Sequence, residues 1–453
     1  MSGGKLQQTS RTLTDTSTSR PLPVPSGRIN RLARLGSTAA GIAGSMTVQA
    51  LGDLQRGTRP DMRQLLLTPS NMRRLADELA RMRGAAMKVG QLISMDAGDV
   101  LPQELADIMA RLRDQAHFMP PKQLKQVLNR NWGTNWLPAF ERFDVHPIAA
   151  ASIGQVHRAQ LKDGRDVAIK VQYPGIADSI DSDVANVGAL VKMSGLLPKG
   201  FELAPYMEEA RKQLHEETDY AREGRELQRF QALLAANEDF TVPQFHEDWS
   251  TPEILTMSFL EGSPIETVAD TDQAERNRVA TALINLTLRE VFEYSVTQCD
   301  PNFANFRYNA ETGRIYLLDF GATRHLDQHL SNSYRKLLAA GLETEADALR
   351  NAAIDLGFIE GSGTFDDRIL AMIDTVFAAI REVETFDFAG RNLSNQMNEQ
   401  GMALAEAGYV PPPVPMDVLY LQRKFGGIFL LASKLRAKLP LRRFLADQLS
   451  AEV

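Results

Sequence analysis

Cysteine is almost absent from this chain. Cys299 stands alone among 453 residues, so no intramolecular disulfide can form and a cysteine cage for zinc is excluded. A reducing compartment suits such a chain. Long apolar runs are missing as well. Residues 35–52 carry no charge but are rich in Gly, Ala, Ser and Thr, short of the roughly 20 strongly apolar residues of a spanning helix. No transmembrane helix and no clear signal peptide are expected. An excess of positive charge is lacking too: the formal net charge of −7 excludes a general nucleic-acid binder. There is no fixed-period repeat, which excludes a solenoid.

What is present is an ordinary globular composition. Hydrophobic residues make up 43%, enough for a sizeable core without covalent staples. The length allows about two to four domains. Charge is unevenly spread, with eight Lys or Arg against two Asp or Glu in residues 1–60, so a basic arm precedes an acidic body. Residues 1–27, rich in Ser, Thr, Pro and Gly, read as disordered. Residues 35–52 allow two readings. One is a peripheral membrane anchor with Arg28, Arg31 and Arg34 facing anionic headgroups; the other is a disordered arm leading into a small surface helix.

Periodicity divides the rest. From about Ser70, Met72, Leu75, Leu79, Met82, Ala86, Val89 and Ile93 recur at steps of three and four, the stripe of one continuous buried helix. Lys88 and Gln91 share a face beside that stripe. Further helices are expected near 102–116 and 121–131. Residues 148–161 and 165–173 read as strands joined by a turn at Lys162-Asp163-Gly164. In the second strand Val167, Ile169 and Val171 alternate with Ala168, Lys170 and Gln172, so Lys170 leaves on the face opposite the isoleucine. One long charged helix over about 203–236, strands near 240–242 and 253–259, and a mainly helical remainder complete the pattern. The expected units are a basic arm with a short apolar segment (1–62), a helical extension (63–145), a sheet lobe (146–262) and a helical lobe (263–453).

The candidate chemistry is phosphoryl transfer, which needs positive charge on nucleotide phosphates, oxygen ligands for magnesium and a positioned nucleophile. Lys170, in Val-Ala-Ile-Lys, suits the first need. Asp319, in Asp-Phe-Gly after the apolar run Ile315-Tyr-Leu-Leu318, offers a carboxylate to a hard cation. Asp300 and Asn305 are separated by the interval between base and metal-binding asparagine in kinase catalytic loops. Each motif alone is weak, but their order and spacing together define a kinase-like site. Two departures set it apart. Ala149-Ala-Ala-Ser152 replaces a glycine-rich loop, which stiffens it over the phosphates, and no His-Arg precedes Asp300. Cys299 reads as a packing residue, since nothing beside it in sequence would activate a thiol. Glu216, Glu217, Asp219 and Glu223 form an acidic run. Glu217 and Asp219 would diverge on a straight helix, so joint action needs a bend or ligands approaching from different sides.

With these residues the chain resembles the UbiB family of atypical kinase-like proteins, in its coenzyme Q-associated branch. The matching segments span about 84–325. They are Lys88-Val-Gly-Gln91 (the family's KxGQ), Ala149–Ser152, Lys170, Glu217-Thr-Asp219 (its ExD), Glu223, Asp300 to Asn305, and Asp319-Phe-Gly321. Gly154-Gln-Val-His157, Val171-Gln-Tyr-Pro-Gly175 and Arg423-Lys-Phe-Gly-Gly427 fit the same branch. The resemblance implies an α+β, bilobal kinase-like fold whose N-terminal helical extension carries KxGQ.

It further implies that Lys170 pairs with Glu223 and binds phosphates. Ala149, Ala150, Ala151 and Ser152 would touch the nucleotide, and Thr256, Met257, Ser258 and Phe259 would form the hinge around adenine. Asn305 and Asp319 would hold Mg2+, and Asp300 would take the catalytic aspartate's place. Lys88 and Gln91 would be directed at Glu217 and Asp219, across the site where a protein substrate would dock. The implied cofactors are ATP/ADP and Mg2+. The implied activity is an ATPase supporting ubiquinone biosynthesis, with a quinone precursor or other isoprenoid lipid and the biosynthetic proteins as partners. A cytoplasmic site, peripheral at the inner membrane or on the matrix side of a mitochondrion, goes with it. Two alternatives are a genuine small-molecule or protein kinase, and a nucleotide-sensing lipid-binding scaffold.

Overall fold

In the computed structural model, residues 82–97, 118–193, 202–390, 393–409 and 414–450 are described, together with single positions at 44, 47, 50, 68, 71, 74, 77 and 79. Apart from those positions, the basic arm 1–62 and the helix expected near 102–116 lie outside the described residues.

The extension contributes α1 (Arg83–Ala97) and α2 (Pro121–Trp132). Met82 lies in a turn, its N–H bonded to the Leu79 carbonyl at 3.1 Å. The stripe read as one continuous helix is therefore interrupted just before α1. Its apolar positions still face inward, with Leu79, Met82, Ala86, Val89 and Ile93 all buried. In α2 a proline occupies the first turn, where a missing N–H costs nothing, and Leu124, Val127 and Leu128 bury one side.

The sheet lobe holds β1 (Phe140–Phe143), β2 (Ala149–Ala150), β3 (Gly154–Leu161) and β4 (Asp166–Gln172). It opens with a strand ahead of position 146, which sequence reading had assigned to the helical extension. β3 and β4 form the expected hairpin, with Val156 opposite Lys170. Val167, Ile169 and Val171 turn to the side roofed by α2, where Trp132, Trp136, Phe140 and Trp249 gather. Each such aliphatic side chain removed from water stabilises the lobe by about 1.5–3 kcal/mol. Ala168, Lys170 and Gln172 occupy the other side and are also buried.

Next come α3 (Ile176–Met193), α4 (Ala204–Glu217) and α5 (Tyr220–Leu233). Sequence reading did not anticipate α3. The single charged helix it placed over 203–236 is two helices. α4 stops at Glu217, and Asp219 accepts the Arg222 N–H at 2.9 Å to cap α5; aspartate is among the strongest N-cap residues. α1, α3 and α4 share one core through Ala86, Val89, Leu92, Val184, Val187, Ala210 and Leu214. Ile153 of the sheet lobe and Tyr420 from the far end of the chain join it.

β5 (Phe240–Thr241) leaves for a second sheet, while β6 (Ile254–Ser258) completes the first, whose order is β1–β3–β4–β6 with β2 beside β3. β7 (Ser263–Pro264), α6 (Gln273–Phe292), β8 (Val296–Gln298), β9 (Phe306–Tyr308), β10 (Ile315–Leu317) and β11 (Thr323–His325) form the floor of the cleft. There β5–β10–β9–β7 make one sheet and β8 pairs with β11. The helical lobe continues through α7 (Gln328–Glu343), α8 (Ala346–Asp355), α9 (Asp366–Arg381), β12 (Phe386–Asp387), α10 (Leu393–Glu406), α11 (Met416–Lys434), β13 (Lys438–Leu439) and α12 (Leu441–Ser450). A sheet lobe over a helical lobe is the expected α+β bilobal plan. No described helix is long and apolar enough to cross a membrane.

Candidate active site

Between the lobes lies a cavity of about 110 Å³ whose lining includes Lys88, Ser152, Lys170, Glu223, Asp300 and Asp319. Strand alternation delivers Lys170 from β4, and its Nζ donates to Glu223 Oε1 on α5 at 2.5 Å and to Asp319 Oδ2 at 3.1 Å. Burial works against charge here, yet Asp319 and Glu223 outweigh it and hold the ammonium well above its ordinary range. One cation faces two carboxylates, and the two part ways. Burial also opposes charge on Asp319, but Lys170 and the Gly321 N–H, at 3.0 Å, keep its carboxyl below the usual value. Burial dominates at Glu223 and pushes it up to about 7 despite Lys170.

The opposite wall is the catalytic loop. Asn305 Nδ2 donates to Asp300 Oδ2 at 3.0 Å and to the Asp300 carbonyl at 3.1 Å. This use of its N–H groups leaves the Asn305 amide oxygen as the ligating atom. No group of three or more His, Cys, Asp or Glu side chains able to hold a metal ion was found among the described residues. An amide oxygen with one carboxylate is nonetheless the sparse, hard donor set that suits magnesium already carrying phosphate oxygens and water. By donor type Asn305 and Asp319 fit the metal, although of the two only Asp319 lines the cavity, Asn305 meeting it through Asp300.

Lys88 reaches the cavity from α1 and forms a buried ion pair with Glu217 at the end of α4. Ser152 Oγ also donates to Glu217, at 3.3 Å. The Lys88–Glu217 lock thus lies against the alanine-rich loop, and Gly84 one turn earlier on α1 is tight against it: a Cβ there would come within 3.3 Å of the Ser152 carbonyl. Gln91 is half-buried and does not line the cavity. Asp219 is not in it either, because its carboxylate is spent capping α5. A bend, one of the two arrangements the ExD spacing allows for joint action, is present, but it turns Glu217 inward and Asp219 outward.

Other expected contacts divide similarly. Ala151 and Ser152 line the cavity, whereas Ala149 and Ala150 are paired to β3. The Ala151 N–H is bonded to the Gly154 carbonyl at 2.8 Å, so it is not offered to a phosphate. In the proposed hinge, Thr256 Oγ1 donates to the Trp249 carbonyl at 2.8 Å and Ser258 Oγ accepts the Gln244 N–H at 2.8 Å. Met257 is packed in the core and Phe259 lies under the Arg158 guanidinium. The Thr256 hydroxyl is thereby committed as a donor, whereas Ser258 Oγ, used as an acceptor, keeps an O–H to give. Cys299 is buried, and burial pushes its thiol up to about 12, in keeping with a packing role.

Several contacts have no counterpart in the sequence pattern. Arg222 on α5 donates to the carbonyls of Gly321 at 2.9 Å and Thr323 at 2.5 Å, fixing the loop after Asp319. Arg324 and Tyr420, which line the cavity, both donate to Glu209 Oε1 at 2.7 Å, joining β11, α11 and α4. Arg423 donates to Asp300 Oδ1 at 2.7 Å. A lysine held on a strand by a helix glutamate, facing an Asp–Asn loop and an Asp-Phe-Gly turn, defines a nucleotide site of the kinase type.

The comparisons agree with that class. A family model described as the ABC1 atypical kinase-like domain matches residues 111–353. The Saccharomyces cerevisiae protein named "Atypical kinase COQ8, mitochondrial" is 37% identical over 91% of this chain and 83% of its own length. A Rattus norvegicus relative, "Atypical kinase COQ8B, mitochondrial", is 35% identical over 95% of this chain and 82% of its own. Among solved structures, the Mycobacterium tuberculosis Rv3197–erythromycin complex is similar at a TM-score of 0.58 and 21% identity, covering 92% of this chain and 97% of that one; it speaks for the fold. The protein is an atypical kinase-type enzyme. It belongs to the UbiB family of ABC1 atypical kinase-like proteins, alongside the COQ8 proteins.

Proposed function

We propose that this chain is a Mg2+-dependent ATPase that supports ubiquinone biosynthesis, acting on a quinone precursor or other isoprenoid lipid at a membrane surface, or on the assembly of the biosynthetic proteins. The observation that carries the reading is the buried Lys88–Glu217 pair set beside Lys170, Glu223 and Asp319. It brings the N-terminal extension to the nucleotide site, where a protein substrate would otherwise dock, while leaving a small cavity beneath. Lys170 would neutralise phosphate charge, and Glu223 keeps its ammonium aimed. Asn305 and Asp319 would hold the magnesium, which when bound supplies charge neutralisation for the departing ADP. Asp300 orients the attacking group.

Peripheral association with an inner membrane, on the matrix side in a mitochondrion, is supported by the basic arm and by relatives whose names say mitochondrial. The genuine-kinase alternative has against it the same Lys88–Glu217 lock. The decisive measurement is ATP turnover by the purified chain with Mg2+, with and without anionic liposomes or a phenolic quinone precursor. Turnover should rise with either addition and fall at least a hundredfold in Asp319→Asn; equal turnover in that variant overturns the proposal. Nucleotide-induced thermal stabilisation without turnover would mark the sensing scaffold instead. Lys88→Ala and Ala150→Gly then test whether the lock and the stiff loop restrain phosphoryl transfer.

A further inference from the structure

The segment Arg423-Lys-Phe-Gly-Gly427 is not accounted for by nucleotide binding, yet it lies on the catalytic loop. Asp300 has both oxygens engaged: Oδ1 accepts from Arg423 Nη2 at 2.7 Å and Oδ2 from Asn305 Nδ2 at 3.0 Å. Asn305 belongs to the same loop, whereas Arg423 comes from α11, more than a hundred residues along the chain. Its place is firmly built. The next residue, Lys424, is buried and paired with Glu290 at 3.0 Å, and Glu290 also accepts from Thr297 Oγ1 at 2.8 Å. One turn further, a Cβ on Gly427 would come within 2.3 Å of the Pro301 side chain. α11 therefore lies directly against Asp300-Pro301.

We infer that Arg423 is a specificity-determining residue that withholds Asp300 from acceptor hydroxyls, steering the γ-phosphoryl group to water. The inference rests on the ATPase reading above. Transfer to an alcohol requires its proton to pass to Asp300 as its oxygen bonds to the γ-phosphorus. The bond from that phosphorus to the bridging oxygen breaks, and ADP leaves with the electron pair. A base does this within hydrogen-bond reach of the hydroxyl, and on Asp300 each oxygen already accepts one hydrogen bond, so a hydroxyl must share Oδ1 with the Arg423 guanidinium or Oδ2 with the Asn305 amide. Water attacking a loose, metaphosphate-like transition state needs position more than an early proton acceptor. Capping Asp300 thus handicaps hydroxyl acceptors more than water.

The test uses the full chain, Mg2+ and γ-labelled ATP, with glycerol as acceptor, and reads label on glycerol and on the protein's own hydroxyls. Arg423→Gln should raise that label at least fivefold over wild type. Arg423→Met, which keeps the aliphatic stem, should do the same if Arg423→Gln folds poorly, and Arg423→Lys should stay near wild type. Stabilisation by Mg-ADP verifies that each variant is folded. No rise in label in a folded Gln or Met variant overturns the inference, as does an equal rise in Arg423→Lys. Absence of ADP formation by the wild-type chain would instead sink the ATPase reading, while the label on acceptors still decides the role of Arg423.

Discussion

Two of the buried lysines among the described residues, Lys170 and Lys424, each meet a glutamate, and they behave as opposites. Lys170 bonds to Glu223 at 2.5 Å and also to Asp319 at 3.1 Å, beside a cavity. Lys424 meets Glu290 at 3.0 Å, with side-chain exposures of only 2% and 1%. At the first site carboxylates outnumber the cation and a ligand can enter. At the second, charge is matched and Thr297 adds a hydroxyl to the same glutamate oxygen. The first arrangement is built to exchange partners, whereas the second holds α11 on α6. The same pair of residue types thus serves chemistry or architecture according to charge balance and access.

Breaking the architectural pair should have the largest effect on stability. Lys424→Ala strands Glu290, whose carboxyl burial already pushes upward, and is expected to cost about 3–5 kcal/mol in urea unfolding. Lys424→Met with Glu290→Leu should recover most of that loss, since well-packed apolar substitutes for a buried pair are often neutral.

The catalytic pair should instead reveal itself through pH. The folded Glu223 carboxyl sits near 7, above its ordinary 4.5, so the folded chain binds that proton more tightly than the unfolded one. Its contribution to stability is fully present below about 4.5 and is lost as pH rises through 7, an effect on the order of 3 kcal/mol. Urea midpoints between pH 5 and 8 should show this slope in wild type and lose it in Glu223→Gln. A smaller change is expected from Gly427→Ala, about 1–3 kcal/mol of overpacking against Pro301, with slower ATP turnover because Arg423 and Asp300 shift together. Lys170→Met should cost less than Lys424→Ala, because burial already favours the protonated form of Glu223 and the Asp319 side chain keeps 36% of its surface exposed. Stabilisation by Mg-ADP should nevertheless fall at least tenfold in that variant, measured as the nucleotide concentration needed for a given thermal shift. A large stability loss there would erase the contrast between the lysines.

What sequence made legible follows from distance along the chain. Lys170, Asp300, Asn305 and Asp319 each announce themselves through neighbours: an alternating strand, a fixed interval, an apolar run ending in Asp-Phe-Gly. The bilobal order came with them. The helix break itself was missed although Asp219 is a good N-cap, because charged helix formers run through it on both sides. α3 escaped for lack of any chemistry to draw notice. Arg423 on Asp300 and Tyr420 on Glu209 join positions 123 and 211 residues apart, and no local pattern encodes such meetings. In the expected hinge, Thr256 and Ser258 lie on the expected strand, and their hydroxyls meet Trp249 and Gln244, contacts that no spacing announces.

The common core of α1, α3 and α4 also bears on how the enzyme could be switched on. Because Val89 and Leu92 of the extension are buried among Val184, Val187, Ala210 and Leu214, swinging the extension away would expose that whole interface to water. Activation by membrane or lipid is therefore expected to leave sedimentation and scattering profiles almost unchanged. Its signature should be local, in the side chains of Lys88 and Glu217, and proteolytic removal of the extension should yield an aggregated lobe rather than a liberated kinase.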